Sequence, residues 1–84
     1  MNIKDITPNH LNKQVKIQGQ ITNLRTINPT FQILTLTDKT GQIQATINSN
    51  PQLKTNQEIV ILGRITQYQN ELQIQINKII LQAP

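Results

Sequence analysis

Residues 15–22 read Val-Lys-Ile-Gln-Gly-Gln-Ile-Thr, with apolar side chains at Val15, Ile17 and Ile21 and polar ones at Lys16, Gln18, Gln20 and Thr22. A period of two marks a half-buried strand, because successive side chains leave a strand on opposite faces. Residues 59–66, Ile-Val-Ile-Leu-Gly-Arg-Ile-Thr, align with this stretch position by position, and Gly63 falls where Gly19 stands. Glycine weakens a strand unless it serves a bulge, a sharp bend or a close approach of backbones, and the coiling of a small barrel calls for such places. Two glycine-interrupted strands therefore predict a sheet that curls and closes.

The segments around these two continue the pattern. Residues 31–37 place Leu34 and Leu36 on one face and Phe31, Ile33, Thr35 and Thr37 on the other. Asp38-Lys39-Thr40-Gly41 then reads as a turn, with Asp38 accepting from nearby backbone N–H groups and Gly41 free to take a positive φ. Residues 42–47 alternate again, Ile43, Ala45 and Ile47 against Gln42, Gln44 and Thr46, which completes a hairpin. Tyr68-Gln69-Asn70-Glu71 is a short connection into Leu72, Ile74 and Ile76, alternating with Gln73 and Gln75. The expectation is five strands, roughly at 14–27, 31–37, 42–48, 57–67 and 71–80, each boundary good to about two to four residues.

Residues 48–56 are rich in turn formers and read as a loop. Thr7 followed by Pro8 predicts one helical turn that sets Ile3, Ile6 and Leu11 over one end of the barrel. The apolar end Ile79-Ile80-Leu81 is expected to cover the barrel base, the alternative being contact with another copy. The expected organisation is one all-β domain over 1–84, with an N-terminal turn at 1–13 and the barrel at 14–80.

Composition narrows the function. A chain of 84 residues suits one small domain, and its 25 Ile, Leu and Val residues, 15 of them Ile, favour strands over helices. Thirteen Gln, ten Asn and ten Thr fill the polar faces opposite the aliphatic ones, as on the solvent side of a sheet. The formal charge of +4 and pI near 9.9 favour polyanionic partners. With no cysteine and a single histidine, His10, neither a thiolate metal site nor a Cys/His nucleophile is available, and no phosphate-cradling glycine loop is present. The four carboxylates, Asp5, Asp38, Glu58 and Glu71, are dispersed. The expectation is a non-catalytic protein without a cofactor. No stretch approaches the ~18 apolar residues of a membrane span, and no apolar leader precedes the strands, so a cytoplasmic protein without membrane contact is expected.

The strings Val15-x-Ile17-x-Gly19-x-Ile21, Leu34-Thr35-Leu36-Thr37-Asp38-Lys39-Thr40-Gly41-Gln42-Ile43 and Glu58-Ile59-Val60-Ile61-Leu62-Gly63-Arg64-Ile65 resemble the oligonucleotide/oligosaccharide-binding (OB) fold of the anticodon-binding type. This is a five-stranded Greek-key barrel, and the resemblance spans about residues 13 to 80. It implies a ligand lying across strands two and three, bordered by the loops between strands one and two and between strands four and five. Carried onto this sequence, the implied site comprises Arg25, then Phe31, Ile33, Thr35 and Thr37 on strand two, then Gln42, Gln44 and Thr46 on strand three, and Tyr68 at the last hairpin. Lys39 and Arg64 would border it. The position of Ile33 resembles one that carries a stacking aromatic in relatives, and that of Gln44 one that carries a base-reading Gln. The implied partner is single-stranded DNA or RNA, with phosphates held by Arg25, Lys39 and Arg64. The alternative is a structural OB module that contacts other protein domains, since one fold hosts many functions.

Overall fold

The computed structural model describes residues 1–49 and 51–83. Its five strands are β1 (Gln14–Asn28), β2 (Phe31–Asp38), β3 (Gly41–Ile47), β4 (Glu58–Tyr68) and β5 (Glu71–Gln82), within two residues of the boundaries read from alternation. They close a barrel in the order β1-β2-β3-β5-β4. All neighbouring pairs are antiparallel except β3 and β5, which run parallel over four residue pairs from Gln44↔Gln73 to Ile47↔Ile76.

The long β1 is shared between two partners: residues 14–20 pair with β4, and residues 20–28 pair with β2. Gln20 pairs with both Thr37 and Glu58, so the strand changes partner one residue after Gly19. A Cβ on Gly19 would stand 3.1 Å from the Thr37 carbonyl oxygen. Gly63 lies beside a register shift against β5, where a Cβ would strike the Ile74 γ-methyl and stand 2.8 Å from the Gln75 carbonyl oxygen. Both glycines therefore mark close approach between backbones, and neither has a positive φ.

The interior is aliphatic apart from Gln32, whose side-chain amide donates to the Thr26 hydroxyl at 3.0 Å. Val15, Ile17 and Ile21 of β1, Leu34 and Leu36 of β2, Ile43, Ala45 and Ile47 of β3, Ile59, Ile61 and Ile65 of β4 and Ile74 and Ile76 of β5 are all buried. Their alternation in sequence turns one side of every strand inward. Leu53, in the β3–β4 connection, and Ile3 plug the ends. Residues 51–57 contain no helix.

Two 3₁₀ turns precede the barrel. The expected turn forms at Pro8–His10, capped by Thr7, whose hydroxyl accepts from the Asn9 N–H while His10 Nδ1 accepts from the Thr7 N–H. The other, Ile3–Asp5, was not apparent from sequence and buries Ile3, while Ile6 and Leu11 pack partly buried against the core as expected.

Two readings need correction. Gly41 was expected to supply a positive φ, yet the β2–β3 turn has none; it is held instead by Asp38, which accepts from the N–H groups of Thr40 and Gly41 at 2.7 and 3.0 Å and from the Thr40 hydroxyl. Left-handed residues stand instead at Asn12, at Asn56 and at the β4–β5 hairpin, where Gln69 (φ 51°) and Asn70 (φ 66°) form a pair suited to the right-handed twist of the flanking strands. Of the apolar end 79–81, only Ile79 packs against the core; Ile80 and Leu81 remain exposed because register shifts in β5 carry them off the inward face.

Candidate nucleic-acid interface

The outward faces of β2, β3 and β5 meet in register. Thr35 pairs with Gln44, which pairs with Gln73; Ile33 pairs with Thr46, which pairs with Gln75. Arg25 extends the second row across β2, since it lies opposite Ile33, and Arg64 ends it opposite Gln75. The row Arg25–Ile33–Thr46–Gln75–Arg64 thus crosses all five strands, with the only two arginines of the chain at its ends.

A cleft of about 490 Å³ opens on this face, lined by Arg25, Phe31, Ile33, Gln44, Thr46 and Tyr68, together with Gln69, Glu71 and Gln73. The first six are residues expected from sequence. Phe31 begins β2 half-buried, positioned by a two-residue turn in which Asn28 Oδ1 accepts from the Thr30 N–H at 2.9 Å. Tyr68 ends β4 at 62% exposure, so its ring face is open to a ligand. Gln44 Oε1 accepts from Gln73 Nε2 at 3.1 Å. That bond occupies the Gln44 carbonyl, so the pair offers the Gln44 NH2 as donor and the Gln73 carbonyl as acceptor, side by side.

The other five expected residues lie outside this cleft. Thr35 and Gln42 continue the same sheet face along β2 and β3. The Thr37 hydroxyl is within 2.9 Å of that of Thr22 on β1, and Thr37 and Lys39 line a different cleft. Arg64 is exposed two strands away from Thr46. The three expected cations are therefore not gathered at one point, and only Arg25 enters the cleft, where it shares the lining with Glu71.

Gln69, Glu71 and Gln73 were missed as site residues. Local alternation placed Gln73 on a polar face but gave no sign that β5 lies beside β3; the strand order of the Greek-key barrel is the signal that would have brought it next to Gln44.

A family model for the OB-fold nucleic acid binding domain matches residues 15–81. A search of curated proteins finds no match. Among solved structures, the asparaginyl-tRNA synthetase from Pyrococcus horikoshii complexed with asparaginyl-adenylate superposes with a TM-score of 0.84 at 15% identity, over 100% of this chain and 22% of that one. A replication protein A heterotrimer bound to ssDNA gives a TM-score of 0.69 at 22% identity, over 79% of this chain and 54% of that one. The OBody AM1L10 bound to hen egg-white lysozyme gives 0.81 at 17% identity, over 96% and 88%. The chain thus spans about a fifth of the synthetase and about half of the replication protein chain. At these identities the likeness is one of fold.

Proposed function

This chain belongs to the family of OB-fold nucleic acid binding domains, and from that premise we propose that it binds single-stranded nucleic acid, DNA or RNA, without catalysing a reaction, alone or as a module of a larger assembly. One observation carries the reading: both aromatic residues of the chain and Arg25 line a single cleft that also holds the Gln44–Gln73 amide pair. Bases stack on Phe31 and Tyr68, against the apolar Ile33, with the amides facing their exposed edges. Arg25 holds a phosphate at the mouth, where its planar donors suit bidentate contact. Thr35, Thr37, Gln42 and Thr46 continue the track toward Lys39, and Arg64 ends the row on the other side. His10 does not line the cleft; its Nδ1 caps its own turn.

The test is a fluorescence anisotropy titration of labelled single-stranded DNA and RNA oligomers at several salt concentrations. With two or three phosphates neutralised, log affinity falls against log salt with a slope of about −1.4 to −2, at −0.7 per contact. The absence of saturable binding even at low salt overturns the reading. A second reading, protein contact through the same wall, draws support from the OBody, an OB-fold of nearly this size bound to a protein. Backbone NMR separates the two, because an oligonucleotide ligand shifts residues 25–46 and 68–73 and a protein-contact module stays silent to it.

A further inference from the structure

On β4 the outward positions break the rule obeyed around the cleft, where threonine and glutamine predominate. Val60 and Leu62 point outward, half-buried, alternating with the buried Ile59 and Ile61. In the aligned stretch of β1 the matching positions are Lys16 and Gln18, both exposed. The run 59–62 is thus apolar on both faces, the pattern of a strand covered on both sides. In register, Leu62 stands between Lys16 of β1 and Lys78 of β5, and Val60 between Gln18 and Leu81. Beside them Met1, Ile80 and Leu81 are 50%, 43% and 62% exposed, and together with Val60 they line a cleft of about 670 Å³.

The charges around this stripe are mainly positive. Lys16 and Lys39 line the cleft, Lys78 and Arg64 stand on the adjoining strand faces, and the carboxylates are Glu58 and Asp38. Asp38 is engaged by the Ile3, Thr40 and Gly41 N–H groups, whereas the Glu58 carboxylate has no such donor among the described residues.

We propose that this wall, centred on β4, which pairs with neither β2 nor β3, docks an acidic polypeptide segment carrying apolar anchors, which fill the stripe while its carboxylates meet Lys16 and Lys78. Nucleic acid fits the wall less well, because aliphatic side chains offer burial without a stacking surface and both aromatics of the chain lie in the other cleft. A second copy fits less well, because two such basic walls repel. Docking here leaves the nucleic-acid cleft open, so the two ligands bind together.

The experiment titrates the protein with a peptide of about 16 residues, Glu-rich with leucine at helical spacing, alone and with saturating oligonucleotide. The expected result is saturable binding, backbone NMR shifts over 16–18, 60–62 and 78–81, and an affinity the oligonucleotide leaves unchanged. The variant V60Q/L62Q, which restores polar outward side chains, weakens peptide binding at least tenfold and leaves oligonucleotide binding intact. K16E/K78E keeps the stripe and gives the same loss for the peptide, which guards against misfolding of the first variant. No saturable peptide binding, peptide shifts in the Phe31–Tyr68 cleft instead, oligonucleotide shifts at residues 60–62, or self-association burying Leu62 would each overturn the proposal.

Discussion

Gly63 leaves no room for even one more carbon, since the Ile74 methyl and the Gln75 carbonyl stand where its Cβ would go. Overpacking against backbone cannot relax by turning a rotamer, so Gly63→Ala is expected to destabilise by about 2–3 kcal/mol. At Gly41 the nearest atom is the Ile3 methyl at 3.7 Å and φ is negative, so Gly41→Ala is expected to be neutral or to stabilise by about 0.5 kcal/mol through the unfolded chain. Urea unfolding midpoints of the two variants check both signs. The importance of Gly19 and Gly63 was legible as interruptions of alternating runs. The absence of positive φ at Gly41 was not, because Asp38 supplies by hydrogen bonding what backbone freedom was expected to supply.

Among the elements, the β2–β3 turn ties the N-terminal 3₁₀ turn to the barrel through one carboxylate. Desolvation raises the Asp38 pKa, but the Thr40 hydroxyl and the N–H groups of Ile3, Thr40 and Gly41 outweigh it, bringing it from 3.8 to about 2. Each of these donors favours the charged form. Because the folded pKa is the lower one, the contribution is fully present above about pH 4 and is lost as pH falls toward 2. Denaturation midpoints between pH 5 and 2 should therefore drop for the wild type and drop less for Asp38→Asn, which starts lower at neutral pH. The strands themselves were readable to within two residues, since alternation is a local property. The turn Ile3–Asp5 was hidden because its anchor, Asp38, lies 35 positions along the chain.

At the scale of the molecule, the site was legible by halves. The polar faces of β2 and β3 are neighbours through a short hairpin, so Phe31, Ile33, Gln44 and Thr46 could be grouped from sequence. The parallel junction of β3 with β5 is non-local, and with it came Gln73, Glu71 and the separation of Arg64 from Arg25. The cleft assigns unequal weights to these residues. Phe31→Ala is expected to weaken oligonucleotide binding by about 1–3 kcal/mol, the worth of one stacked base, with the thermal midpoint nearly unchanged. Arg64→Ala should cost less, and anisotropy titrations at one salt concentration rank the two.

The four parallel pairs between β3 and β5 are the seam along which the barrel is fastened, and parallel pairing is the less stable kind. The Gln44–Gln73 hydrogen bond lies across that seam like a clasp. On the proposed reading, a strand of nucleic acid laid over both amides would rivet that closure from outside, and occupancy would be felt as added rigidity along the seam.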